Sequence, residues 1–127
     1  MANRHLARSV VLQTLFEWDT TLLRQGSAGQ AHASEKEAMN ILARNVAEFG
    51  GDDTDHPFMD ALLKGVLAKK ADIDLVIEKA APEWPLERIA PVDRNILRLG
   101  LYELLFADRS QVPAKVAINE AIELAKT

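Results

Sequence analysis

Apolar and polar positions along this chain recur with the period of a helix, and strand-like alternation is nearly absent. Val10, Val11, Leu15, Trp18 and Leu22 stand at helical spacing, which predicts a long helix from Arg4 to about Leu23. Residues 25–32 form a linker rich in small and polar side chains. Ser34 then offers an N-cap, and Glu37 completes a capping box. The second helix so begun carries Met39, Leu42, Ala43, Val46 and Phe49, and ends at Gly50-Gly51. Asp55 or His56, ahead of Pro57, starts a third helix striped with Phe58, Leu62, Val66 and Leu67. Asp72 offers the cap of a fourth, with Ile73, Val76 and Ile77 inside, and Pro82 and Pro85 end it. Pro91 starts a fifth. Beyond Asn95 its apolar residues surround nearly the whole circumference, the mark of a central, buried helix. Pro113 opens a sixth, with Val116, Ala117, Ala121, Leu124 and Ala125 on one face and Lys115, Asn119, Glu123 and Lys126 on the other. The pattern is all-α: about six helices in two packed helical subdomains, about 1–50 and 55–127, of a single domain over 1–127.

Composition narrows the class. A chain of 127 residues has room for one domain with a real core. No apolar run approaches the roughly 20 residues that span a bilayer, so no membrane partner is expected. The first residues lack the uninterrupted apolar stretch of a signal peptide. Cysteine is absent, which excludes disulfides and cysteine-based zinc sites and fits a reducing cytoplasm. The net charge of −4 is the wrong sign for a protein that coats nucleic acid indiscriminately. Yet Arg4, His5 and Arg8 precede any carboxylate, whereas acidic residues gather at Asp52, Asp53 and Asp55 and along the C-terminal half. A local basic patch on an acidic body suits selective RNA contact; two arginines near a terminus are equally read as solvated.

Enzymatic chemistry finds no footing. His5, His32 and His56 stand at no zinc-ligand spacing. Gly50-Gly51 lacks the Lys-Ser/Thr of a phosphate loop, and Ser27, Ser34 and Ser110 have no nearby base. Glu120 and Glu123 read as a solvated face beside Lys126. No catalytic residue, metal or cofactor is expected.

The start of the first helix is more suggestive. Arg4, Arg8 and Leu12 share a face, and Phe16 follows two turns beyond Arg8 on the same side. Arginine can bridge phosphates or stack on a base, His5 adds a donor, and an aromatic ring can stack unpaired RNA. Spacing alone equally allows Phe16 to pack in the core beside Leu12 and Leu15.

Five stretches carry a family resemblance. The final residues 112–126, Val-Pro-Ala-Lys-Val-Ala-Ile-Asn-Glu-Ala-Ile-Glu-Leu-Ala-Lys, closely resemble the signature of the NusB family of bacterial transcription antitermination factors. Residues 3–18, from Asn3 to Trp18, resemble that family's arginine-rich opening followed by Ala-Leu-Gln-x-Leu-Tyr. Phe58-Met-Asp-Ala-Leu-Leu-Lys-Gly-Val66 is similar to its Phe-x-x-x-Leu-x-x-Gly-Val. Ile73 to Ile89 and Val92 to Leu104 are similar to its Ile-Asp … Trp-x-Leu-x-Arg and Glu-Arg-x-Ile-Leu-Arg-x-Ala-x-Tyr-Glu-Leu stretches. Residues 24–55 match most loosely.

The resemblance implies a NusB-like bundle and a non-enzymatic factor. It would bind the boxA element of nascent ribosomal RNA transcripts together with the ribosomal protein NusE, within the RNA polymerase antitermination complex. It puts RNA contact on Arg4, His5, Arg8 and Phe16. His5 stands where the family has arginine, so charge there is weaker and dependent on pH; Phe16 keeps the stacking face of the usual tyrosine without its hydroxyl. It turns Glu87 and Asp93 toward the basic NusE, although both equally suit capping and solvation of the helix begun by Pro91. Trp84 and Tyr102 read as core anchors. The family continues past Ala-Lys through Phe-Gly into a further helix, and here the final family helix is missing. The apolar face of 113–126 is then expected to be partly uncovered, or covered by another chain or a homodimer contact. Two other readings stay open: the NusB-like RNA-binding domain of a ribosomal RNA cytosine methyltransferase, and a helical adaptor without RNA affinity.

Overall fold

The structure is a computed structural model that describes residues 4–25, 31–49, 55–83, 85–107 and 116, with backbone alone for 22–25 and 31–34. Its described elements are α1 (Arg4–Gln25), α2 (Ala31–Phe49), α3 (His56–Ala80), a single 3-10 turn at Leu86–Arg88, and α4 (Pro91–Leu105). The all-α expectation holds. The chain divides into two compact units, Met1–Lys64 and Gly65–Thr127. That division falls inside α3, whereas the subdomain boundary expected from the sequence lies near 50–55.

In the first unit α1 packs on α2. The inward positions of α1 are Ala7, Arg8, Val10, Val11, Thr14, Leu15, Trp18 and Asp19, a continuous stripe at three- and four-residue steps. Ala38 and Leu42 of α2 and Met59, Leu62 and Leu63 of α3 complete the buried apolar set. Three polar residues sit within the α1 stripe. Thr14 is satisfied by donating its hydroxyl to the carbonyl of Val10 at 2.9 Å. Asn45 of α2, fully buried, donates to Thr14 Oγ1 at 3.1 Å and to Glu17 Oε2 at 2.7 Å, tying the two helices together. Arg44 pairs with the other oxygen of Glu17. Helix α2 begins at Ala31, so Ser34 lies within it rather than at the N-cap that the capping-box spacing suggests.

Helix α3 is one element where the sequence suggests two. Lys69, Lys70, Ala71 and Asp72 are all tolerated in a helix interior and no proline interrupts them, so nothing stops propagation at the proposed Asp72 cap. Lys70 and Asp74 bridge one turn at 3.1 Å. Helix α3 starts as expected with Pro57 in its first turn. Its N-cap is Asp55, whose Oδ1 accepts the Phe58 N–H at 3.1 Å.

In the second unit Val66, Ile73 and Ile77 of α3 and Ile96 and Leu99 of α4 are buried. Helix α4 corrects the expectation of an apolar, fully buried rod. Arg94, Asn95, Arg98 and Glu103 are buried, while Val92, Leu97 and Leu105 are exposed, as is Phe106 just beyond; Val76 of α3 is exposed too. The reason is a polar network that compensates the burial of α4's charged side. Arg98 donates from Nε and from one terminal nitrogen to the two oxygens of Asp74, at 2.8 and 3.2 Å, and from the other nitrogen to Asn95 Oδ1 at 3.1 Å. Asn95 in turn donates to the Pro91 carbonyl at 2.8 Å. A two-pronged guanidinium–carboxylate contact is among the stronger side-chain hydrogen bonds.

Tyr102 lies half-buried against α3, where its ring nearly touches the backbone of Gly65. A Cβ placed on Gly65 would lie 2.2 Å from both Cζ and Oη of Tyr102, so only glycine fits as the ring stands. The core-anchor reading of Trp84 and the sixth helix over 113–126 lie outside the described residues, apart from Val116, which is helical and exposed.

Candidate nucleic-acid and partner interfaces

The first two turns of α1 bring Arg4 and Arg8 onto one aromatic ring. Their guanidinium carbons lie 4.6 and 5.1 Å from the centroid of Phe58, at the start of α3. Cations at that distance are attracted to the ring face. The two arginines are not equivalent. The Arg4 side chain is 37% exposed, whereas Arg8 is 2% exposed. His5 is exposed, and its carbonyl accepts the Ser9 hydroxyl at 3.1 Å. Exposure is thus graded along the start of the helix: Arg4 and His5 are open to solvent, and Arg8 is buried against the Phe58 ring.

Phe16 is half-buried on the same helix, eight residues past Arg8 and therefore about 12 Å further along the axis. It stands apart from the arginine pair. The sequence reading missed two members of this site. Phe58 read only as part of a core stripe, and Asp55 only as a helix start. Asp55 does both jobs with one carboxylate, since Oδ1 caps α3 and Oδ2 lies 3.7 Å from Arg4. The available signal was its place as the last carboxylate before a proline-led helix whose first residue after the proline is aromatic.

Glu87 and Asp93 lie together in chain order and are both exposed. Glu87 is the middle residue of the 3-10 turn, and Asp93 sits in the first turn of α4, where a carboxylate is favoured by the helix dipole. Extended residues at Pro85, Ile89 and Ala90 flank the turn, and neither its start nor that of α4 has a side-chain cap. Arg94 ties the turn to α4 in another way, through its carbonyls. Buried one turn into α4, it donates from one nitrogen to the carbonyls of Leu86 at 3.0 Å and Ile89 at 3.2 Å. No local spacing rule points to this role for an arginine between Asp93 and Asn95.

Among the described residues no group of three His, Cys, Asp or Glu is placed to hold a metal ion, and no helix is long and apolar enough to cross a membrane.

Comparison with known proteins agrees across nearly the whole chain. The model of the NusB family matches residues 5–127. The transcription antitermination protein NusB of Desulforudis audaxviator is 40% identical over 124 residues, covering 98% of this chain and 79% of that protein. The protein of the same name from Desulfitobacterium hafniense is 38% identical, covering 98% of this chain and 75% of the relative. The one from Bacillus licheniformis is 39% identical over 123 residues, covering 97% and 81%. The family model's span takes in His5, Arg8 and the Glu87–Asp93 segment, and the chain belongs to the NusB family.

Proposed function

We propose that this chain is a transcription antitermination factor whose residues 1–127 act as a single RNA-binding domain. It binds boxA RNA of ribosomal RNA transcripts together with the ribosomal protein NusE, in the cytoplasm, and promotes read-through by RNA polymerase. The observation that carries this reading is the opening of α1. Arg4 is poised on Phe58 beside an exposed His5, on a helix with no carboxylate before Glu17. Arg4 and His5 take backbone phosphates. Arg8 adds charge from beneath and holds the ring, and Phe16 stacks or supports a base further along the helix. Glu87 and Asp93 face the basic protein partner, where complementary charge sets encounter rate and register.

The test is binding of a short boxA RNA against a scrambled control, with and without NusE. Selective binding strengthened by NusE supports the proposal; equal binding of both RNAs in both conditions overturns it. Replacing Arg4 and Arg8 together by Ala lowers affinity and flattens its salt dependence by about 0.7 units of log–log slope for each phosphate no longer neutralised. Asp55→Asn acts in the other direction. Asparagine caps a helix as well as aspartate does, so α3 keeps its start while the carboxylate competing for Arg4 disappears. RNA affinity rises about two- to threefold, as fits the removal of one partly exposed ion pair. An unchanged affinity in both variants removes this patch from the mechanism.

A further inference from the structure

The partner-facing carboxylates of the second unit stand on a segment with little holding it in place. Between Pro85 and Pro91 the backbone makes two hydrogen bonds of its own, Arg88 N–H to Pro85 O at 2.9 Å and Ile89 N–H to Leu86 O at 3.2 Å. Two prolines and two uncapped starts leave it without the usual side-chain ties. Against this stands Arg94, a guanidinium taken out of water and aimed at the carbonyls on either side of Glu87 and Arg88. Burying a charge is costly unless hydrogen bonds compensate it, so such a group holds its acceptors in a fixed place. Arg94 also directly follows Asp93, so one residue anchors both carboxylates: Asp93 through the α4 backbone and Glu87 through the 3-10 turn.

We infer that Arg94 is a positioning residue for the protein partner, fixing Glu87 relative to Asp93 so that both meet a basic surface at once. This rests on the proposed partner role of Glu87 and Asp93. The spacing of two carboxylates on a rigid frame selects among basic partners. On a loose frame the same two charges attract but do not discriminate. Lysine at 94 would keep the charge but not the guanidinium nitrogen, held in its rigid plane, that donates to both carbonyls.

The experiment is a double-mutant cycle on the full chain, with NusE as the probe and two independent readouts. Affinity for NusE is measured for the parent, Glu87→Gln, Arg94→Lys and the double variant. Amide hydrogen exchange is followed at Arg88 and Ile89. RNA binding through α1 reports that the variants are folded. Glu87→Gln alone weakens binding about three- to tenfold, a common size for one interfacial charge. In the Arg94→Lys background the same change costs about twofold or less, because Glu87 is no longer held in register. Exchange at Arg88 and Ile89 is faster in Arg94→Lys while RNA binding is unchanged. An equal cost for Glu87→Gln in both backgrounds overturns the positioning role, and so does unaltered exchange. If Glu87→Gln is silent in the parent while exchange still quickens in Arg94→Lys, the partner reading of Glu87 fails and the positioning role falls with it, leaving Arg94 a clamp on the turn alone.

Discussion

Each unit of this protein joins two of its helices with an arginine–carboxylate pair, and the two pairs do different physical work. Arg44 and Glu17 link α2 to α1 with side chains 58% and 28% exposed. Arg98 and Asp74 link α4 to α3 with side chains 3% and 13% exposed. Coulomb attraction in water is weak and is offset by the entropy of holding two long side chains still, so the first pair contributes little. The second has given up its water. Its stability depends on every donor and acceptor finding a partner, which is why Asn95 and Lys70 crowd around the same site. Identical chemistry thus tunes the surface in one unit and organises the interior in the other.

The sharpest way to break that comparison is Asp74→Ala. It strands the buried Arg98 guanidinium and costs about 3–5 kcal/mol, read as a large drop in the urea midpoint. A loss below about 1 kcal/mol would mean that water reaches Arg98 and that the two pairs are alike. Asn45→Ala comes next. It removes the buried amide that serves both Thr14 and Glu17, and about 1–2 kcal/mol is expected, because Thr14 keeps its bond to Val10 and Glu17 can turn to solvent. Arg44→Ala is the smallest, at or below about 1 kcal/mol. Salt sharpens the contrast further. At 1 M the Debye length is about 3 Å, so the cost of Arg44→Ala fades while that of Asp74→Ala persists. Denaturation of each variant in low and high salt checks both statements.

How much of this was legible from sequence follows the same divide. The α1 stripe from Ala7 to Trp18 is plain because apolar residues carry it, and the start of α4 is plain because Pro91 marks it. The exposed Glu87 and Asp93 are where carboxylates on a turn and a first helical turn are expected. What escaped was every polar residue with an inward role. The inward place of Arg94, Asn95 and Arg98 emerges only when Asp74, more than twenty residues before Arg98, is brought beside it. Long-range pairing leaves no periodicity, so the apolar positions after Asn95 read as a helix buried all round, whereas Leu97 and Leu105 are exposed. The continuity of α3 escaped for a related reason. Asp72 is a good cap in isolation, and only the absence of a breaker around it says that no cap is needed. In the candidate RNA site, Arg4 and His5 could be named from the chain, but the ring beneath Arg4 comes from another helix, beyond any local spacing rule.

Gly65 and Tyr102 set the order in which this protein can change over generations. A side chain at 65 meets the far end of the phenol at 102, so the first step on that path must displace the ring. Shortening 102 first opens the space and makes alanine or serine at 65 permissible. A library randomised at both positions should return glycine with the large ring, or a small side chain with a shorter partner. Neither position, varied alone, would reveal that the other holds the key to it.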